Sequence, residues 1–195
     1  MLSRWLAIAL GLVPLWFVPA AVAAAAGTAG VVALGSAAGT TNATTAREVA
    51  VGSVLREAKL KGLNGPSRQL SSYRGKPLII NVWASWCGPC REEAASLEQL
   101  AWSPLGASVT IIGISTDDFA ENAQGWLRQS NATLTHYIDQ QLEMETMLGA
   151  SHLPLTVFVD ANGKVLRKVT GAQDWTGPRA AGWIRAAFPN KLPHP

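Results

Sequence analysis

The chain contains two cysteines, and they lie two residues apart in the segment Trp86-Cys87-Gly88-Pro89-Cys90. Paired thiols at this spacing can exchange electrons with a disulfide of another protein, and the pair then cycles between dithiol and disulfide. A purely structural disulfide would close so short a loop that it would remove little chain entropy and add little stability. The spacing therefore favours thiol-disulfide chemistry.

Other uses of a Cys-x-x-Cys pair have less support. A structural zinc site needs about four ligands, and the spacing of His136, His152 and His194 is far from the usual paired-histidine pattern, so we expect no metal site. Covalent haem attachment requires a histidine directly after the second cysteine, where this chain has Arg91. A peroxidase would need a differently placed cysteine. Binding of Cu(I) remains an alternative, because paired thiolates suit that ion.

The pair lies between a predicted strand and a predicted helix. Residues 78–83 are nearly continuous apolar and β-branched residues, which is typical of a buried strand. Residues 90–101 are rich in helix formers, and Ala94, Leu97 and Ala101 fall on one face of the predicted helix. The cysteines are therefore expected at a helix N-terminus.

This position assigns different roles to the two thiols. The helix dipole and free backbone N–H groups lower a thiol pKa from about 8.5 toward about 7 or below. Cys87 is nearer the exposed loop and is predicted to be the nucleophile. Cys90 is expected to be more buried and to resolve the mixed disulfide. Gly88 and Pro89 tighten the turn between them and influence the reduction potential.

The remaining elements are predicted from alternation, turn residues and helical spacing. They are a hairpin with its turn at 62–65, strands at 109–115 and 133–138, a helix capped by Asp117 and Asp118 with Phe119, Ala123, Trp126 and Leu127 at helical spacing, a helix at 142–148, a hairpin of strands 155–159 and 165–169, and a helix at 178–188. This order predicts an α/β fold with a central mixed β-sheet flanked by helices and an N-terminal β-hairpin extension.

The N-terminal part differs in composition from the rest. Residues 1–26 contain one charge, Arg4, and an apolar stretch, which is typical of a secretory signal peptide or of an uncleaved membrane anchor. Residues 27–47 are rich in Ala, Gly and Thr and are predicted to be a flexible linker. The folded domain is expected at 48–190, followed by a tail at 191–195. With either N-terminal alternative, the domain is exported.

The residues around the pair resemble the thioredoxin superfamily, and specifically its exported TlpA-like and ResA-like thiol-disulfide oxidoreductases. The resemblance covers residues 50–190 and depends on several segments that occur in the expected order. These segments are 74–77 (Arg-Gly-Lys-Pro), 81–93 (from Asn81 to Glu93), 153–160 (from Leu153 to Asp160) and 163–165 (Gly-Lys-Val). The resemblance implies a thioredoxin-like fold.

The resemblance also implies roles for individual residues. Pro154 matches the superfamily's cis-proline, which with Leu153 lies beside the cysteines and binds the partner; an ordinary strand-entry proline is the alternative. Glu93 matches a carboxylate that assists proton movement; the alternative is a solvated residue in a helix's first turn. Trp86 matches a surface tryptophan near the partner, and core packing is its alternative. Asn81 replaces the buried aspartate of cytoplasmic thioredoxins and cannot titrate.

The resemblance further suggests a direction and partners. Thioredoxin, which shares the Cys-Gly-Pro-Cys motif, has a potential of about −270 mV, against about −120 mV for the oxidant DsbA. We therefore expect a periplasmic reductase without a cofactor beyond its own disulfide. A membrane thiol donor of the DsbD/CcdA type would supply electrons, and apocytochrome c or copper-centre assembly proteins would be clients. A thiol oxidase or isomerase is the rival. The net charge of +3 is scattered, so no nucleic-acid partner is expected.

Overall fold

The computed structural model describes residues 48–189 of the 195-residue chain. The predicted signal or anchor segment at 1–26, the linker at 27–47 and the tail at 191–195 lie outside the described residues. Between residues 48 and 189, no helix has the length and apolar character needed to cross a bilayer.

The described residues form seven strands and four α-helices, close to the predicted set. The strands are β1 (Lys59–Gly62), β2 (Arg68–Gln69), β3 (Leu78–Trp83), β4 (Thr110–Ser115), β5 (Thr135–Ile138), β6 (Leu155–Val159) and β7 (Val165–Thr170), and the helices are α1 (Gly88–Trp102), α2 (Ala120–Gln129), α3 (Glu143–Leu148) and α4 (Pro178–Ala187). Short 3-10 helices cover Leu70–Tyr73 and Gly106–Ser108.

The strands form one mixed sheet in the order β2-β1-β5-β4-β3-β6-β7. The central strands β3, β4 and β5 are parallel, while β6, β7 and the β1-β2 hairpin pair antiparallel to their neighbours. In the parallel register Trp83 lies opposite Ser115, so the carboxyl ends of β3 and β4 reach the same edge. The chain segments that follow these two strands are therefore neighbours.

The two faces of the sheet are covered by different helices. Side chains alternate between the faces of a strand, so Ile79 and Trp83 share one face and Leu78 and Ile80 share the other. On the first face, α1 and α4 pack around Ile79, and α2 packs around Trp83. On the second face, α3 contributes Met144, Met147 and Leu148. The expected mixed sheet flanked by helices, with its N-terminal hairpin, is confirmed.

One local prediction was wrong. Helix α2 begins after Phe119, which is 65% exposed and provides no side-chain cap, so the predicted cap by Asp117 and Asp118 is not formed. In α1, Leu97 is buried and Ala94 and Ala101 are half-buried, and the other buried positions are Cys90, Glu93 and Leu100.

Gly113 in β4 leaves the space that two aromatic rings occupy. A Cβ at this position would lie 2.1 Å from Nδ1 of His136 and 2.9 Å from Nε1 of Trp83. Those two rings are joined by a hydrogen bond, in which Trp83 Nε1 donates to His136 Nδ1 at 3.1 Å. A side chain at position 113 would therefore force the ring pair apart.

We expect Gly113→Ala to lower the free energy of unfolding by about 1–3 kcal/mol, because the added methyl overpacks a buried site. Urea unfolding with the disulfide intact measures this change. The matched control is Gly182→Ala in the interior of α4, where a Cβ meets nothing within 4 Å. Since alanine favours a helix over glycine, the control should gain about 0.5–1 kcal/mol. An unchanged midpoint for Gly113→Ala would contradict the steric argument.

Candidate active site

Cys87 and Cys90 form a disulfide at the start of α1, with an S–S distance of 2.02 Å and a Cα–Cα distance of 5.3 Å. Cys87 is the N-cap residue of α1, and the Cys90 backbone N–H donates to Cys87 Sγ at 3.2 Å. Both cysteines are buried, at 5% and 3% exposure, so the expected difference in burial is small in the disulfide form. The prediction that the pair lies at a helix N-terminus is confirmed.

Asp117 fixes the loop that leads into the cysteines. Its carboxylate accepts hydrogen bonds from the Ser85 backbone N–H at 2.9 Å, Ser85 Oγ at 2.6 Å and Ser115 Oγ at 2.7 Å. The prediction that Asp117 caps a helix is wrong, because its carboxylate binds Ser85 and Ser115 at the sheet edge instead. Its role depends on the β3-β4 register, which short-range patterns do not reveal.

Glu93 is buried, so its interpretation as a solvated residue is wrong. The side chain is 2% exposed. Its Oε1 accepts from Asn81 Nδ2 at 2.8 Å, and its Oε2 accepts from the Gln173 backbone N–H and from Trp175 Nε1, each at 3.0 Å. Burial raises the pKa of Glu93 above its ordinary value, and the hydrogen bonds from Gln173, Asn81 and Trp175 oppose that rise. Glu93 lies one turn from Cys90 on the buried side of α1.

Asn81 connects this carboxylate to the sheet. Its amide nitrogen, besides donating to Glu93, donates to Thr156 Oγ1 at 3.0 Å. Trp175, which is 1% exposed, connects the Glu93 carboxylate to the segment before α4. Gln173 and Trp175 were not predicted as site residues, because a residue in an irregular segment belongs to no periodic pattern that would indicate its partner.

The Leu153–Pro154 peptide bond is cis, as the resemblance implied. Leu153 is half-buried and packs against the apolar cluster that contains both cysteines. The Pro154 carbonyl accepts from the Gly171 N–H at 2.9 Å, whereas the backbone N–H and C=O of Leu153 make no hydrogen bond to any residue between 48 and 189. The structure thus places Leu153 against the cluster that contains the cysteine pair.

The loop residues beside the pair differ in exposure. Trp86 is 70% exposed, so the alternative of core packing is wrong for this residue. Pro89 is exposed and Gly88 is half-buried. An apolar surface therefore borders the disulfide on its solvent side.

We expect the free energy of unfolding to fall as pH rises above the ordinary glutamic acid pKa of 4.5. Because the pKa of Glu93 is raised in the folded protein, the native state binds more protons than the unfolded chain between pH 4.5 and the folded pKa. The loss of stability therefore grows across this pH range and reaches its full value above the folded pKa. The cost is about 1.4 kcal/mol for each tenfold difference between the two dissociation constants. Glu93→Gln should remove it, since Asn81 can turn its amide to accept from the glutamine.

Urea unfolding of the oxidised protein between pH 4 and 8 tests this expectation, as the difference between wild-type and variant curves. Burial also raises the pKa of Asp139 and Glu145, but both residues are present in both proteins and cancel in the difference. Glu92→Gln, on the exposed side of the same helix, is the matched control. Parallel curves for wild type and Glu93→Gln would contradict the assignment.

Comparison with known proteins identifies the domain. Residues 51–168 match the AhpC/TSA family. The thiol-disulfide oxidoreductase ResA of Geobacillus thermodenitrificans is 32% identical over 123 residues, which span 63% of this chain and 71% of the relative. The thiol:disulfide interchange protein DsbE of Vibrio cholerae is 33% identical over 126 residues, which span 63% and 66%.

Solved structures support the same relationship. A structure described as a thiol:disulfide interchange protein DsbE from Chlorobium tepidum superposes with a TM-score of 0.66 at 25% identity, covering 72% of this chain and 99% of the other. A secreted disulfide oxidoreductase of Mycobacterium tuberculosis, described as homologous to DsbE, gives 0.58 at 26% identity, covering 66% and 95%. The chain belongs to the AhpC/TSA family within the thioredoxin superfamily, and it is a thiol-disulfide oxidoreductase of the ResA and DsbE type.

Proposed function

We propose that the protein is an exported reductase that reduces disulfides of periplasmic client proteins through Cys87 and Cys90. The observation that carries the proposal is the cysteine pair at the N-terminus of α1, with the Cys90 N–H pointing at Cys87 Sγ. That donor and the helix dipole stabilise negative charge on Cys87 when the pair is reduced. The pair needs no further cofactor, because the reduced dithiol itself carries the two electrons that a client disulfide accepts.

The reaction proceeds in two exchanges. The Cys87 thiolate attacks one sulfur of a client disulfide, forms a mixed disulfide and releases the other client sulfur as a thiolate. Cys90 then loses its proton and attacks Cys87 Sγ, which releases the second client sulfur. The client gains two electrons and two protons, and the protein is left with the Cys87–Cys90 disulfide.

Glu93 is the group we propose for proton transfer in the second exchange. It lies one turn after Cys90 and shares the buried side of α1 with it. A buried carboxyl with a raised pKa can hold a proton nearer to neutral pH than an exposed one can. Asn81, which stands where cytoplasmic thioredoxins have an aspartate, donates to Glu93 and holds it in place.

The client would bind across the surface formed by Trp86, Gly88, Pro89, Leu153 and Pro154. The free backbone groups of Leu153 suit an extended client segment, which could pair with them as an added strand does. Exposed Trp86 supplies apolar contact area beside the disulfide. Apocytochrome c and copper-centre assembly proteins are the client classes that the family resemblance suggests.

Export and electron supply complete the proposal. The M. tuberculosis relative is described as secreted, and residues 1–26 have the composition of a signal or anchor. A reductase outside the cytoplasm requires electrons from across the membrane, so we infer a membrane thiol donor of the DsbD/CcdA type as its partner.

The reduction potential tests the direction of the reaction. We expect equilibration with glutathione buffers to give a potential more negative than about −180 mV, because a reductase must hold its electrons less tightly than an isomerase or an oxidase does. A more positive value would favour the oxidase or isomerase alternative. Stoichiometric Cu(I) binding without turnover of insulin disulfides would favour the copper-binding alternative instead.

Trapping of mixed disulfides tests the roles of the two cysteines. We expect Cys90→Ser, expressed in the native exporting cell, to accumulate mixed disulfides with clients, because the second exchange is blocked. Non-reducing gels and mass spectrometry identify the trapped proteins. Cys87→Ser is the matched control and should trap none; if it traps clients and Cys90→Ser does not, the nucleophile assignment is reversed.

A further inference from the structure

A cavity of about 290 Å³ lies between α1 and α2 and ends at Cys90. We refer to it as the α1–α2 cavity. Its walls are mainly apolar and include Trp83 from β3, Ala94 and Leu97 from α1, and Trp126 from α2. Glu93, Trp86, Leu153 and Pro154 do not line it, so it is separate from the surface proposed for clients. Its volume is near the lower limit of about 300 Å³ that is usual for small-molecule sites.

Among the buried residues that line this cavity, two side-chain polar atoms make no hydrogen bond within residues 48–189: Nε2 of His136 and Oδ1 of Asn81. Trp83 Nε1 can only donate, so His136 Nδ1 accepts its hydrogen bond and the neutral imidazole carries its proton on Nε2. Burial lowers the pKa of His136 to about 4, which keeps the ring neutral. Within residues 48–189, Nε2 makes no hydrogen bond, and no sealed side-chain nitrogen or oxygen is left unpaired. Nε2 therefore opens onto the cavity that its ring lines.

The imidazole is fixed rather than adaptable. His136 is 6% exposed, and its ring lies over Gly113, where no side chain competes for the space. It also makes an edge-to-face contact with Trp83, with ring centroids 5.3 Å apart. A buried donor held in this way is unfavourable unless a ligand or a water accepts from it.

The rim of the cavity carries one residue of each charge. Glu98 already accepts hydrogen bonds from the Thr133 N–H, Thr133 Oγ1 and the Leu134 N–H. The positively charged residue is Arg91, which is exposed. Arg91 forms no ion pair within residues 48–189, where the only ion pair joins Lys168 to Glu48. The opposite charges at the rim give no preference for a charged ligand, and the interior favours an apolar one.

We propose that the α1–α2 cavity binds a small, neutral, flat and largely apolar molecule with one hydrogen-bond acceptor, such as an aromatic ketone, and that this acceptor takes the proton of His136 Nε2. Flat rings suit walls formed by Trp83 and Trp126. Because Cys90 lines the cavity, the bound molecule contacts Cys90, and its occupancy and the redox state of the disulfide are expected to influence each other.

The probe we choose is 1-indanone, with indane as the matched ligand that lacks the carbonyl. Titration of the oxidised full-length protein, followed by ¹H–¹⁵N NMR, should give saturable one-to-one binding with a Kd of about 0.1–1 mM, a range that fits so small a ligand. The shifts should centre on Cys90, Leu134 and the indole N–H groups of Trp83 and Trp126. Indane should bind at least about tenfold more weakly, because it leaves the His136 donor unpaired.

Two variants distinguish the cavity from non-specific binding. Ala94→Leu fills the space next to Cys90 and should abolish saturable binding of 1-indanone. The matched control, Gln99→Leu, adds a leucine to an exposed position of the same helix outside the cavity and should bind 1-indanone as the wild type does.

Two replacements of His136 test the hydrogen bond. His136→Gln can still accept from Trp83 and donate into the cavity, so it should retain the preference for 1-indanone over indane. His136→Phe should reduce that preference to about one, and the affinity ratio stays informative even if the variant is less stable. The proposal is overturned if 1-indanone does not saturate, if indane binds equally well to the wild type, or if Ala94→Leu binds unchanged.

Discussion

The buried carboxylate of Glu93 is the constraint on which the arrangement of the active-site helix depends. A buried acceptor without partners costs several kcal/mol, and here three donors come from three places: Asn81 in β3, the Gln173 backbone and the Trp175 indole. Helix α1 can satisfy Glu93 in only one rotation. That rotation directs Cys90 inward, and because Trp175 packs against Phe158 and Trp183, it also joins the site to the core under α4.

A second carboxylate fixes the loop before the helix. The parallel register sets Trp83 opposite Ser115, so the chain leaves β3 and β4 at one edge and Asp117 can hold both Ser85 and Ser115. The two ends of the Cys87–Cys90 segment are therefore anchored by different carboxylates on different elements. A disulfide that opens and closes repeatedly benefits from this support, because the sulfurs must return to bonding distance at each cycle.

Local periodicity in the sequence predicts most strands and helices, whereas the positions of polar groups with distant partners could not be predicted from it. Strands such as Leu78–Trp83 and the hairpin at Asn64-Gly65 follow from apolar runs and turn residues over a few positions. The burial and hydrogen-bond partners of Asp117, Glu93 and His136 could not be predicted in this way. Each is a polar residue whose burial is decided by donors or rings 12 or more positions away, and periodicity is silent about such pairs.

Cys90 lies where two unlike faces of α1 meet. On one side is the hydrogen-bonded network of Glu93, and on the other is the mainly apolar α1–α2 cavity, which Asn81 of that network also lines. An apolar wall disfavours a charged thiolate, whereas Cys87 receives the N–H of Cys90 and the positive end of the helix. In the reduced protein this asymmetry favours charge on Cys87 and a proton on Cys90. For the proton that leaves Cys90, Glu93 on the buried side of α1 is the acceptor that we propose, and water is the alternative acceptor.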